Sequence, residues 1–263
     1  MSELSRGALP RRVQALLGTS FYDSGLTLDD TDLVSRLEGV EARIRAAVER
    51  SGRGRAEITL VAVTKKFSAD KIRRAYGAGL RDFGENYVQE FAGKQPDLGD
   101  LPEARFHLIG HLQSNKARLA CQLFHVIESV DSPKLIPRLD AAATERTAPM
   151  EIMLELKLSS EENKTGADPK TLGALLEEAS RTGHLVVTGL MTVPPWSTDA
   201  EESRPYFREL ARLGKQFGLP KLSMGMSNDF EVAIEEGATS IRVGTAIFGA
   251  RPKPERQTQA SHQ

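Results

Sequence analysis

Apolar residues recur every three or four positions in a segment that begins near residue 30. Arginine and glutamate separate them, and the apolar positions are Leu33, Leu37, Val40, Ile44 and Val48. This spacing places them on one face of a helix, so it predicts an amphipathic helix over residues 30–51, which Ser51 and Gly52 end. Residues 1–28 precede this regular pattern and are predicted to form a flexible extension.

Beyond that helix, eight short apolar runs alternate with longer segments of helical periodicity. The runs predicted to be strands are residues 58–65, 82–85, 106–110, 126–130, 151–158, 186–192, 221–226 and 240–243. Strands that alternate with helices indicate a parallel sheet. We therefore predict an α/β chain with a single (β/α)8 TIM barrel over residues 29–251 and a disordered tail over residues 252–263. An open doubly wound sheet would carry a glycine-rich turn after its first strand, where this chain has lysines.

The net charge, the length of the apolar runs and the cysteine count limit which partners and compartments are expected. The 263 residues carry a formal net charge of −1, which gives no electrostatic reason to expect nucleic acid or an anionic membrane. No apolar run approaches the roughly 18 residues that span a bilayer, and no secretory signal is recognisable. The single cysteine, Cys121, is interpreted as a packing residue and fits a reducing compartment, so we predict a cytoplasmic protein.

Lys65 lies at the end of the first predicted strand. Alternation places Val61, Val63 and Lys65 on one face of that strand, so Lys65 is expected at the carboxyl-terminal mouth of the barrel, where barrel enzymes have their sites. A lysine beside an apolar core loses its charge more readily, and its neutral amine attacks aldehydes. The alternative is that Lys65 and Lys66 are a solvated pair of loop residues.

The last two predicted strands end in small residues. Gly225, Ser227, Gly244 and Thr245 lie where backbone N–H groups at a strand end can bind an anion. In α/β barrels the phosphate site is commonly formed by the loops after strands seven and eight. These residues therefore predict a phosphate site.

Arg242, on the eighth strand, is expected to point into the barrel. It stays protonated, so it would donate a hydrogen bond to the nitrogen of a pyridine ring and keep that nitrogen unprotonated. The alternative is an ion pair with Glu85, Glu128 or Glu155.

Two other strand ends carry polar residues. Asn86 follows the second strand, and His111 and Gln113 follow the third. Polar residues at such turns often contact ligands, although Asn86 could instead cap a helix. His107 is interpreted as a hydrogen-bonded core residue, because no third metal ligand lies at a suitable spacing and no metal site is predicted.

Together these segments resemble the pyridoxal phosphate homeostasis proteins, single-domain relatives of the alanine racemase barrel. The resemblance covers about residue 30 to Arg251, and its motifs lie at residues 62–65, 83–90, 107–116, 189–191, 222–227 and 242–249. The segment from Thr64 to Ser68, Thr-Lys-Lys-Phe-Ser, departs from the family's usual Ser-Lys-Thr-Lys-Pro.

The resemblance implies a barrel of the alanine racemase N-terminal type that binds pyridoxal 5′-phosphate (PLP). It implies that Lys65 forms a Schiff base with PLP and that Ser227, Gly244 and Thr245 hold the phosphate. It also implies that Arg242 faces the pyridine nitrogen, with Asn86 near the ring.

Three functions are compatible with these features. The first is a carrier or buffer in intracellular PLP homeostasis, without robust catalysis, because the chain ends soon after the eighth strand. Racemases of this type carry a further β domain that supplies a tyrosine base. The alternatives are a PLP-dependent amino-acid racemase or decarboxylase and a cofactor-free Schiff-base aldolase. The predicted partners are PLP and the apo forms of PLP-dependent enzymes, and the predicted oligomeric state is a monomer.

Overall fold

Eight parallel strands form a closed barrel in a computed structural model that describes residues 28–161 and 164–250. Each strand pairs with the next along the chain, and β8 pairs with β1. The strands are β1 Thr59–Val63, β2 Asp82–Glu85, β3 Arg105–Leu108, β4 Val126–Val130, β5 Met150–Glu155, β6 Leu185–Met191, β7 Lys221–Met226 and β8 Ser240–Val243. The predicted barrel is therefore confirmed, with several strands shorter than predicted at their ends.

Helices follow the strands and surround the barrel. The α-helices are α1 Leu28–Arg50, α2 Ala69–Gly77, α3 Val88–Lys94, α4 Ala117–Leu123, α5 Ile136–Ala143, α6 Leu172–Ser180, α7 Arg204–Phe217, α8 Phe230–Glu235 and α9 Thr245–Phe248. Short 3-10 helices lie at Arg55–Glu57, Gln95–Leu98, Ser114–Lys116, Pro169–Thr171 and Ala200–Ser203. The predicted amphipathic helix is α1, which begins at Leu28. Apart from Leu28, the predicted flexible extension over residues 1–28 lies outside the described residues, as does the predicted tail over residues 252–263.

The strand residues alternate between two environments, as period-two patterning predicts. Leu60 and Ala62 on β1 are buried in the apolar layer that packs between the strands and the helices. Val61, between them, pairs in register with Arg242 and lies against the barrel interior. The barrel thus has an apolar outer layer, whereas its interior also contains charged side chains such as that of Arg242.

Cys121 belongs to the outer layer and is buried, as predicted. Burial raises the pKa of its thiol to about 11, so the thiol stays protonated and unreactive at neutral pH. Within residues 28–161 and 164–250, no helix has both the length and the hydrophobicity needed to cross a membrane.

A short helix, which the sequence did not predict, directly follows β8. Residues Thr245–Phe248 form the short helix α9, and the N–H groups of Ile247 and Phe248 donate to the carbonyl oxygen of Gly244. Four residues are too few for helical periodicity to be visible in a sequence. A tertiary contact supports α9, since the ring of Phe248 packs on that of Phe67 with centroids 5.2 Å apart.

Candidate functional site

Lys65 and Lys66 occupy the centre of a tight turn that follows β1. The N–H of Phe67 donates to the carbonyl oxygen of Thr64 at 3.0 Å, which closes the turn. Lys66 has a φ of 65°, and it is the one residue other than glycine with positive φ in the described chain. Lys66 is exposed whereas Lys65 is half-buried, so the turn separates the two lysines into different environments.

A largely buried ion-pair cluster, formed by Glu85 on β2 with Glu90 and Lys94 on α3, holds this turn from outside the barrel. The Nζ of Lys94 donates to the carbonyl oxygen of Thr64 at 3.1 Å and to Glu85 Oε1 at 2.9 Å, and it lies 2.7 Å from Glu90. The hydroxyl of Thr64 also donates to Glu85, and the backbone N–H of Lys66 donates to Glu90. Burial raises the pKa of Glu85 although the Lys94 charge opposes this shift. The cluster therefore fixes the backbone on both sides of Lys65.

The loops after β7 and β8 converge on the hydroxyl of Ser227. This oxygen accepts from the backbone N–H of Gly244 at 3.3 Å and from that of Ala246 at 3.4 Å. Thr245, between these two donors, is exposed. The predicted phosphate residues Ser227, Gly244 and Thr245 are thus brought together, and they combine a hydroxyl with backbone donors, which is the chemistry that binds phosphate.

Pairing of β1 with β8 places the Lys65 turn beside the Ser227 and Gly244 loops. Ala62 pairs in register with Val243, and a Cβ added at Gly244 would lie 3.3 Å from Cβ of Val63. The contact of Phe67 with Phe248 joins the same two loops further out. Lys65 and the predicted phosphate residues therefore share one edge at the carboxyl-terminal end of the barrel.

Arg242 is buried inside the barrel, with 3% of its surface exposed. Its Nη1 donates to the hydroxyl of Ser223 at 2.5 Å, and its Nη2 donates to the carbonyl oxygen of Thr192 at 2.7 Å. Burial lowers the pKa of Arg242, and the negative charge of Glu128 opposes this effect. Of the ion-pair partners considered for Arg242, Glu128 reaches it through Ser223, and Glu85 instead pairs with Lys94.

His107 is hydrogen-bonded inside the barrel, as its interpretation as a core residue predicted. Its Nδ1 lies 2.7 Å from Glu128 Oε1, and its Nε2 lies 3.0 Å from Asp82 Oδ1. Burial opposes a charge on His107, but these two carboxylates outweigh it and raise the pKa of His107 to about 9. The residues from 28 to 161 and from 164 to 250 contain no group of three metal-ligating side chains able to hold a metal ion.

Sequence reasoning missed the part played by Ser223 and treated Glu128 only as one of three possible partners. Both lie on strands at positions that alternate inward, and Glu128 is the one charged residue on β4, a strand whose five residues are all buried. A charged residue within a buried strand was the available signal, because such a residue needs partners.

Asn86 directly follows β2, and one polar atom of its side chain makes no hydrogen bond with the part of the chain that the structure describes. Its Oδ1 is buried and has no hydrogen-bond partner among the described residues, so the side chain does not cap α3. Gly110 packs directly on it, since a Cβ at residue 110 would lie 2.4 Å from the backbone oxygen of Asn86. A buried acceptor without a partner is destabilising unless a ligand or water satisfies it, so Asn86 fits a ligand-binding role.

A polar cavity of about 490 Å³ lies beside Asn86. Its lining includes His111 and Gln113, the polar residues after the third strand that the sequence indicated as possible ligand contacts, together with Glu155 and Thr165. The hydroxyl of Thr165 donates to Glu155 at 2.8 Å, and burial raises the pKa of Glu155. The loop after β5 therefore contributes Thr165 to the wall of this cavity.

Comparison with known proteins identifies the family. The family model for the alanine racemase N-terminal domain matches residues 36–252. Over 221 residues the chain is 42% identical to the pyridoxal phosphate homeostasis protein of Pseudomonas aeruginosa, a match that covers 83% of this chain and 96% of that relative. The chain belongs to the pyridoxal phosphate homeostasis protein family.

Two further comparisons agree with this membership. The pyridoxal phosphate homeostasis protein of Aquifex aeolicus is 40% identical over 222 residues, which cover 82% of this chain and 97% of that relative. The structure of PipY from Synechococcus elongatus, solved with PLP bound, matches with a TM-score of 0.71 and 41% identity. That match covers 82% of this chain and 100% of PipY. The resemblance stated from the sequence motifs is confirmed.

Proposed function

We propose that this protein binds PLP as a Schiff base on Lys65 and acts as a carrier or buffer in intracellular PLP homeostasis, without robust catalysis. The observation that carries the proposal is the shared edge of the barrel, where the half-buried Lys65 turn meets the Ser227 and Gly244 loops. Family membership and a relative at 41% identity that was solved with PLP bound support the choice of cofactor.

The residues present fit the parts of PLP. Ser227, Gly244 and Thr245 would bind the phosphate through a hydroxyl and backbone N–H groups. Arg242 would face the pyridine nitrogen, and Asn86, whose Oδ1 lacks a partner, would lie near the ring. PLP supplies the aldehyde, and its ring is an electron sink when the ring nitrogen is protonated. Arg242 can only donate a hydrogen bond, so it would keep that nitrogen unprotonated and the ring a poor electron sink.

Lys65 is favoured over Lys66 because of where the turn places them. Condensation of an amine with an aldehyde releases one water molecule and requires the amine to be neutral. Lys65 is half-buried at the edge that it shares with the Ser227 and Gly244 loops, whereas Lys66 is exposed to solvent, so we favour Lys65 as the lysine that meets an aldehyde held there.

The alternative is a PLP-dependent amino-acid racemase, which the match to the alanine racemase N-terminal domain favours. The names of the relatives, homeostasis proteins, favour the carrier. We further propose a monomer that works in the cytoplasm and passes PLP to apo forms of PLP-dependent enzymes, without binding nucleic acid or membranes. The near-zero net charge and the buried thiol of Cys121 support this setting.

The test is a visible spectrum of the purified protein with PLP, before and after borohydride reduction, followed by peptide mass mapping. We expect a yellow protein whose visible band disappears on reduction and whose label maps to Lys65. A colourless protein would contradict PLP binding and favour the aldolase. Racemisation or transamination at ordinary enzyme rates, about 1–10³ per second, would contradict the carrier role and favour the racemase.

A further inference from the structure

A chain of hydrogen-bonded side chains with alternating charge runs through the barrel interior and ends at Arg242. Asp82 and Glu128 flank the imidazole of His107, with distances of 3.0 Å and 2.7 Å. The hydroxyl of Ser223 lies 2.5 Å from the other oxygen of Glu128, and it also accepts from Arg242. Both Glu128 and Ser223 are buried, with 1% and 0% of their surface exposed.

The direction of each bond in this chain follows from the donors available. A guanidinium has only donors, so Ser223 must accept from Arg242 and give its single hydroxyl proton to Glu128. Glu128 then accepts from Ser223 through Oε2 and faces His107 with Oε1. His107, between two carboxylates, donates through both ring nitrogens as an imidazolium. The charges therefore alternate from Asp82 to Arg242 with a neutral hydroxyl before the arginine.

The hydroxyl of Ser223, which lies between Glu128 and Arg242, changes which N–H groups of the guanidinium are engaged. A carboxylate in direct contact with arginine usually engages two of its N–H groups side by side. Here Ser223 uses Nη1 and Thr192 uses Nη2, so the guanidinium is held at two points, and no carboxylate among the described residues accepts a hydrogen bond from its other donors. Glu128 still supplies the negative charge that favours the protonated form of the buried arginine.

We propose that Ser223 and Glu128 are positioning residues that hold the Arg242 guanidinium, protonated and oriented, for a hydrogen bond to the PLP ring nitrogen. The inference rests on the proposed function, because it assumes that Arg242 faces that nitrogen. Neither residue contacts the cofactor in this scheme; both act through Arg242.

The test compares Ser223→Ala with Ser240→Ala in the full-length apo protein. Ser240 is the matched control, because it is also a buried serine, it lies on the same strand as Arg242, and its hydroxyl has no described partner. Two ligands are titrated, PLP and an analogue in which a C–H group replaces the ring nitrogen, and the dissociation constants are measured by absorbance. Thermal unfolding of each apo variant checks that it is folded.

We expect Ser223→Ala to weaken PLP binding about tenfold or more, the size expected for loss of one hydrogen bond to a charged group. Ser240→Ala should bind PLP as the wild type does. With the analogue, the dissociation constants of Ser223→Ala and of the wild type should agree within about twofold. The analogue has no ring nitrogen to accept a hydrogen bond from Arg242, so that contact is absent from both proteins. Glu128→Gln, which keeps the shape of the side chain, should repeat the pattern of Ser223→Ala.

Two results would overturn this inference alone. The first is that both Ser223→Ala and Glu128→Gln bind PLP as tightly as Ser240→Ala does. The other is an equal loss for PLP and for the analogue, which would show a general structural effect. A wild-type protein that binds neither ligand would overturn the proposed function and this inference with it.

Discussion

Both ends of the barrel are lined by polar side chains, but the two ends arrange these side chains differently. At the amino-terminal end, around a cavity of about 450 Å³, opposite charges pair with one another. Arg105 and Lys221 both contact Glu151, at 3.1 Å and 3.0 Å, and Arg105 lies 4.0 Å from Asp82. At the carboxyl-terminal end, Oδ1 of Asn86 is buried without a described partner.

The amino-terminal end is thus lined by charged side chains that pair with one another, whereas the carboxyl-terminal end carries the polar groups that are predicted to contact a ligand. Paired charges at the amino-terminal end satisfy each other and contribute to stability. At the other end, Lys65 lies between backbone positions that the Lys94 cluster fixes, and Lys66 adopts an unfavourable positive φ. Such preorganisation is expected where α/β barrels bind ligands.

The largest effect is expected from Lys65→Ala. The visible band of the PLP-loaded protein should be lost completely, because no other residue would form the Schiff base. Lys66→Ala is the control, and it should keep the band. Spectra and borohydride labelling measure both variants, and a band that survives in Lys65→Ala but not in Lys66→Ala would move the reactive amine by one residue.

Lys94→Met should lower the free energy of unfolding by about 3 kcal/mol, because it leaves Glu85 buried without its cation. Urea denaturation of the apo protein measures this change. Lys215→Met, on the exposed face of α7, is the control and should stay within about 0.5 kcal/mol of wild type. Equal stability of the two variants would show that the cluster does not support the Lys65 turn.

His107→Gln should change how stability depends on pH. The pKa of His107 is raised to about 9 from 6.5, so its stabilising effect is complete below pH 6.5 and is lost as the pH rises through 9. The wild type should therefore lose up to about 3 kcal/mol over this window from this group, and the variant should not. Urea denaturation at several pH values measures both slopes, and identical slopes would contradict a charged His107 in the barrel.

The smallest effect is expected from Lys221→Met at the amino-terminal end. Its side chain is 52% exposed, and exposed ion pairs contribute less than about 1 kcal/mol. The variant should lose no more than this in urea denaturation, and its retention of PLP during dialysis should equal that of wild type. A large loss of PLP would show that the two ends of the barrel are coupled.

Much of this site was predictable from local patterns. Alternation on β1 and β8 indicated that Val61 and Arg242 face the interior, and the small residues after β7 and β8 marked Ser227 and Gly244. The short helix α9 was not predictable, because four residues are too few to show helical periodicity and the contact that supports it joins Phe248 to the distant Phe67.

The sequence by itself determined the order of strands and helices and the two-sided pattern of each strand, and it predicted Lys65 as the last residue of a first strand that ends at Val63 in the structure. These properties depend on neighbouring residues, which periodicity reports. Only the tertiary structure decided which charges meet inside the barrel. Ser223 and Glu128 are 95 residues apart, and their hydrogen bond exists because the eight strands close into a barrel. Barrel closure brings together residues that are distant in the chain, so the periodicity of one segment does not report which of them meet.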